Sequence, residues 1–180
     1  MAPEGNAEWA RETRRALLRA RARALAEDTG DQESLETIEL LEFHLAHEVY
    51  GVESAYVTEV YPLKDLTPIP STPEFVLGII NVRGRIVSVV DVKKFFDLPE
   101  KGLTDLNKVI ILQSAGMEFG ILADVIVGVR KIPAGELQPP LPTLTGIRLE
   151  YLKGIAGGNL VVLDAAKLLA DRSVVVNHQG

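Results

Sequence analysis

Residues 78–98 read GIINVRGRIVSVVDVKKFFDL, and the fold turns on how this stretch is parsed. An apolar run reaches Val82, a tight turn falls at Arg83-Gly84, and Ile86 to Val90 is rich in β-branched residues. The first part is therefore a β-hairpin. Glycine supplies the positive φ that such a turn needs, which puts Arg83 at an exposed tip. Asp91 stands where the period changes and is the expected N-cap of a short helix over Val92–Phe96. Hairpin, cap and helix make one unit.

The unit occurs again. Tyr151–Ala156, a turn at Gly157-Gly158-Asn159 and Leu160–Leu163 read as a hairpin, and Asp164 opens the helix AAKLLA. Gly78-Ile79 matches Gly154-Ile155, with the shorter turn expected in the second copy. Upstream, Val49-Tyr50-Gly51-Val52 matches Glu118-Phe119-Gly120-Ile121, as Val57 and Val60 match Ile126 and Val129. A duplication with a spacing of ~70 residues accounts for all of these at once.

The remaining elements follow from period and punctuation. Leu41, Phe43 and Leu45 alternate with Glu42 and His44 as a half-buried strand, and Val49–Val52 returns after a turn at Ala46–Glu48. Val57 and Val60 stand at helical spacing, which predicts a short helix or turn within Glu53–Tyr61. Asp124–Val129 is expected to match it, with Asp124 as cap. Pro68, Pro70 and Pro73 keep the next segment extended. Lys108–Gln113 and Met117–Ala123 are strands about a turn at Ser114–Gly116, and residues 133–148, with four prolines, are the longest irregular loop. DLPEKGLTDLN (97–107) is a linker, and Val174–Val176 adds a terminal strand or frays.

Each half offers about five short strands and one short helix, too little to bury a large core alone. The fold class is therefore mainly β: two small barrels packed face to face and sharing apolar surface. The domain occupies 37–176, in approximate halves 37–107 and 108–176, behind an N-terminal segment 1–36.

That segment has its own character. Residues 1–6 are expected to be disordered, and Ala7 to Glu27 is dense in Ala, Arg, Leu and Glu, strong helix formers. Trp9, Leu17, Ala20 and Ala24 make a narrow apolar stripe, and arginines 11, 14, 15, 19, 21 and 23 spread over much of the rest. Gly30 closes the helix within an acidic linker. The stripe favours packing on the main domain or a partner over resting on anionic lipid or nucleic acid.

Composition excludes several classes. The net charge of −6 opposes general nucleic-acid binding, and the lack of cysteine removes disulfides, thiolate metal sites and a Cys nucleophile. No run is long enough to span a bilayer, and the N-terminus lacks the apolar core of a signal peptide. No phosphate-binding loop appears, GIAGGN being a hairpin turn. His44 and His47 point to different sides and do not converge on a metal. Asp91 and Asp164 are paired by repetition and serve as caps. Neither a catalytic set nor a cofactor site is expected. Arg83 and the apolar Val57 remain as candidates for contact with a partner.

The stretch TPEFVLGIINVRGRIVSVVD (72–91), with its G-x-x-N-x-R-G core and V-x-D, resembles the CheW-like domain of bacterial chemotaxis coupling proteins. YGV (50–52), ILADVIVGVRKIP (121–133) and YLKGIAGGNLVVLDAAKLL (151–169) extend the match, with Ser88 where proline is usual. The resemblance implies two five-stranded SH3-like subdomains around a shared apolar core. It further implies a non-catalytic, cytoplasmic adaptor, peripheral to membrane-associated receptor arrays. Its partners would be the cytoplasmic tip of a chemoreceptor and the regulatory domain of a CheA-type histidine kinase. Gly78, Asn81, Arg83 and Gly84 would lie on the receptor-facing side, and Leu41, Val57 and Val60 on the kinase-facing side. Two alternatives are an adaptor in a non-motility kinase array and an anionic-surface binder acting through the arginine-rich helix.

Overall fold

Alternation along the strands decides which of three apolar clusters each side chain joins. The structure, a computed structural model, describes residues 5–27, 36–96, 98, 107–140 and 147–171. Helix α1 (Gly5–Glu27) precedes β1 (Thr37–Leu45), β2 (Glu48–Glu53), a 3-10 turn at Ser54–Tyr56, and β3 (Val57–Pro62). The hairpin β4 (Val76–Val82) and β5 (Arg85–Val90) leads into α2 (Val92–Phe95). Then come β6 (Lys108–Ser114), β7 (Met117–Ala123), β8 (Val125–Pro133) and α3 (Ile147–Glu150). A second hairpin, β9 (Leu152–Ala156) and β10 (Leu160–Leu163), leads into α4 (Ala165–Ala170).

The strands form two five-stranded sheets, ordered β8-β1-β2-β10-β9 and β3-β6-β7-β5-β4. The two orders become identical when β1 to β5 are exchanged with β6 to β10, so the duplication is carried into three dimensions. Each sheet takes two strands from one half of the chain and three from the other. The sequence repeat and the folded sheet are thus different units.

Strand β6 shows how the period places the cores. Val109 and Ile111 face a cluster inside the second sheet with Ile80, Val82, Val87, Val89 and Leu122. Ile110 and Leu112 face the opposite way, into the large cluster shared by both sheets. Buried on both faces, this strand reads as a continuous apolar run. In the first sheet Leu40 joins a cluster with Ile132, Leu160 and Val162, and its neighbour Leu41 joins the shared one. The aromatics gather in the shared cluster, where Phe43, Tyr50, Phe96, Phe95 and Tyr151 follow one another at centroid separations of 5.2–6.5 Å.

Several expectations change. Helix α1 begins at Gly5, inside the segment expected to be disordered. Val57 and Val60 lie on a strand, as do Ile126 and Val129, although the expected short helix survives as the 3-10 turn at Ser54–Tyr56. The cause is a pair of β-bulges. The β3–β6 register skips between Val57 and Glu59, and the β8–β1 register skips Val127. An extra residue in a strand turns a spacing of two into one of three. Loop 133–148 contains a 3-10 turn at Ala134–Glu136 and ends in α3. Gly30, the acidic linker, most of 97–107 and Val174–Val176 lie outside the described residues.

Candidate interaction surface

The turn between β4 and β5 is a two-residue loop closed by the pair Val82–Arg85. Both central residues have positive φ, 53° at Arg83 and 83° at Gly84, the mirror-image turn that suits strand twist. Nothing stands within 4 Å of where a Cβ on Gly84 would lie, so backbone conformation and not space requires glycine there. Arg83 accepts an uncommon conformation costing roughly 1 kcal/mol. Asn81 helps to hold it: its Oδ1 accepts the Gly84 N–H at 2.8 Å. The N-x-R-G motif is therefore a device for fixing an arginine at a rigid tip. The corresponding second turn, Gly157 to Asn159, has three residues. Contrary to expectation, the first copy has the shorter turn and the longer strands.

The Arg83 side chain is 59% exposed and pairs with Glu59 of β3 at 3.1 Å. On the other side of Gly84, Arg85 pairs with Glu118 of β7 at 2.5 Å. Pairs this exposed add at most about 1 kcal/mol to stability, so their main effect is to aim the guanidinium groups. Ile86, directly across from Asn81, is 63% exposed. The outward row of β5 runs from this exposed residue through Ser88 to Val90 in the shared core. An exposed isoleucine next to an arginine-bearing turn suits contact with a protein. Arg85 and Ile86 were not singled out from the sequence, although the alternation with inward Val87 and Val89 carries the signal for Ile86.

Gly78 is placed differently from the other three receptor-side candidates. It is buried, and a Cβ there would lie 2.2 Å from the Thr67 carbonyl oxygen. The close approach permits two backbone hydrogen bonds of 2.9 Å between Thr67 and Ile79. Gly78 positions the hairpin from beneath and does not face outward. Asn81, Arg83 and Gly84 are exposed.

Leu41, Val57 and Val60 also need correction as contact residues. All three are buried in the shared core, Val57 on a strand and not on an exposed helical turn. Leu41 and Val57 can shape a surface only from within, and Val60 reaches one only along the cleft beneath α1. Sidedness follows from strand parity together with the bulges, and spacing alone does not reveal the bulges.

Asp124 is not a helix cap. Its Oδ1 accepts from Lys93 Nζ at 2.7 Å and Asn107 Nδ2 at 3.2 Å, and its Oδ2 accepts the Ala46 N–H at 2.7 Å. Lys93 is only 2% exposed. This node ties α2 to the β1–β2 turn, and so one sheet to the other. The caps themselves are as expected: Asp91 accepts from Lys93 N at 3.0 Å, and Asp164 from Lys167 N at 3.1 Å. Burial pushes the Asp91 carboxyl above its ordinary value, against the opposing pull of the Lys93 charge and amide.

Helix α1 lies against β3, β8 and the 3-10 turn, with Leu17 and Ala20 buried. Arg21 Nη2 donates to the Val57 carbonyl at 2.5 Å. The helix thus covers an edge strand of each sheet. Among the described residues no helix is long and apolar enough to cross a membrane.

Two interleaved sheets presenting a rigid, charged and apolar turn define a protein-binding scaffold. Residues 39–173 match the family model described as the CheW-like domain, and the chain belongs to that family. It is 32% identical over 146 residues to the chemotaxis protein CheW of Treponema pallidum, covering 77% of this chain and 86% of that one. It is also 32% identical over 124 residues to protein FrzA of Myxococcus xanthus, covering 66% and 77%. Among solved structures, the scaffolding protein TtCheW of Thermoanaerobacter tengcongensis superimposes with a TM-score of 0.69 at 30% identity. That match covers 83% of this chain and 96% of the other.

Proposed function

We propose that this protein is a non-catalytic adaptor that couples the cytoplasmic tip of a chemoreceptor to the regulatory domain of a CheA-type histidine kinase. It works in the cytoplasm, at receptor arrays, without entering the membrane. The observation that carries this reading is the N-x-R-G turn on a CheW-like scaffold, which holds Arg83 beside exposed Ile86. A planar, multidentate guanidinium at a rigid tip suits recognition of a carboxylate or carbonyl on a helical partner. Asn81 and Gly84 set the receptor-facing tip and Gly78 seats it. The kinase-facing side is backed from inside by Leu41, Val57 and Val60.

The test is pull-down of a receptor signalling tip and the kinase by the purified chain. Arg83→Glu should lose receptor binding, keep kinase binding and unfold at the wild-type temperature. Undiminished receptor binding by Arg83→Glu would show that the receptor surface is elsewhere.

A second reading, an adaptor in a non-motility array, is favoured by α1. This helix lies outside the family-matching residues 39–173 yet is seated on β3. Deleting residues 1–35 should then change which receptors and kinases are captured. An identical partner set would remove this reading.

A further inference from the structure

Between α1 and β3 runs a groove of about 340 Å³ that the adaptor reading touches only at Arg83 and Val60. Its walls are Arg11, Arg14, Leu17 and Leu18 on the helix, facing Glu59, Val60 and Tyr61 on the strand, and Arg83 stands at its edge. Arg21 also lines it but is engaged with the Val57 carbonyl, as Arg83 is with Glu59. Arg11 and Arg14 are exposed and make no hydrogen bond or ion pair with a described residue. Leu18 beside them is 53% exposed. Four arginines and a single carboxylate line the groove in a chain of net charge −6.

We propose that this groove is a docking site for an acidic, amphipathic peptide segment of a partner protein. An apolar side chain of that segment lies between Leu18 and Tyr61, and flanking carboxylates meet Arg11 and Arg14. Arginine favours this occupant because its planar fork takes a carboxylate through two parallel hydrogen bonds. A volume of this size suits a few side chains and not a folded domain. A phosphate polymer or lipid surface fits less well: it wants a continuous cationic face, and the chain's overall charge opposes it. The groove exists only because α1 is present, so it would add a selection that the CheW-like domain alone does not provide. It borders the tip used in the adaptor reading but does not depend on that reading.

The test begins with short random peptides displayed on phage and selected on the immobilised full chain. Recovered peptides should combine Glu or Asp with an apolar residue. Fluorescence anisotropy of a recovered peptide should show binding weakened about tenfold or more by Arg11→Glu with Arg14→Glu, and by Leu18→Glu. Both variants should keep the wild-type melting temperature. No recovered peptide, peptides without acidic residues, or equal binding by the charge-reversed variant would overturn the proposal. So would stronger arginine-dependent binding to phosphatidylglycerol vesicles than to the peptide. Receptor binding lost in Arg83→Glu, with peptide binding intact in the Arg11/Arg14 variant, would overturn the groove and leave the adaptor standing.

Discussion

The two hairpin units are built on the same frame and differ at the places where a frame can be spared. In the first, Thr67 and Ile79 exchange two hydrogen bonds of 2.9 Å. In the second, Gln138 and Ile155 do the same at the same length. Asp91 N–H donates to the Phe75 carbonyl at 2.7 Å, and Asp164 N–H to the Tyr151 carbonyl at 2.7 Å. Each hairpin carries a bulge next to its buried glycine, at Leu77 and at Lys153. The differences lie at the ends. One tip holds Arg83 in a two-residue turn, and the other is glycine and asparagine. One helix sends Lys93 into an inter-sheet node, and the other has exposed Ala166 at the same distance from its cap. Duplication kept the hydrogen bonds that define the unit and released tip and helix for separate use.

The largest test of this asymmetry is Lys93→Met. It leaves Asp124 without its buried cation and should cost about 3–5 kcal/mol in urea unfolding. Lys167→Met, on the exposed face of α4, should change stability by no more than about 0.5 kcal/mol. Comparable losses would mean that the two helices are equivalent after all.

Next come the glycines. Gly78→Ala meets a backbone oxygen and also a φ of 150°, and should cost about 2–4 kcal/mol. Gly154→Ala meets the Gln138 oxygen and the Leu137 side chain at under 3 Å but no positive φ, and about 1–3 kcal/mol is expected. Thermal melts of the pair would show whether the shared bridge is equally tight in both copies. At the tip, Arg83→Glu should weaken receptor binding by at least about tenfold, roughly 1.4 kcal/mol, enough to lose the receptor from a pull-down, while Asn159→Glu at the other tip leaves it unchanged.

The smallest effect is a pH dependence. Burial raises the folded-state value of the Asp91 carboxyl above its ordinary 3.8, so the native chain holds this proton more tightly than the unfolded chain. Its contribution to stability is greatest below about pH 3.8 and is lost as pH rises through the folded-state value. Asp91→Asn keeps the cap acceptor and removes the titration. Urea unfolding from pH 3.5 upward should therefore show a shallower decline from this position than in wild type. An unchanged profile would locate the proton elsewhere.

The strand pairs and both caps could be read directly, because alternation and an Asp at a change of period have one physical meaning each. Strands β3 and β8 could not, because a bulge gives a strand the spacing of a helix turn. Arg83 was visible from its turn chemistry, since a glycine at positive φ leaves its neighbour exposed. Gly78 shows the limit of such reasoning: the residue that seats the tip is explained by a carbonyl 11 residues earlier in the chain. The Lys93–Asp124–Ala46 node depends on three segments far apart in sequence, and no local pattern announces it. The groove likewise needs the docking of α1, which the narrow apolar stripe alone does not orient.

The exchange of strands between halves has a consequence for synthesis and ancestry. A ribosome that has released residues 37–107 has supplied two strands of one sheet and three of the other, and has finished neither. Both sheets wait for the second half, so long-range pairing dominates the path and folding should be slow for a chain of this length. The same arithmetic describes a half-length precursor. Five strands of that kind could complete their sheets only by trading segments with a second identical copy, as in a domain-swapped dimer. In those terms the present chain is such a dimer made permanent by a covalent join, and two identical surfaces became free to diverge.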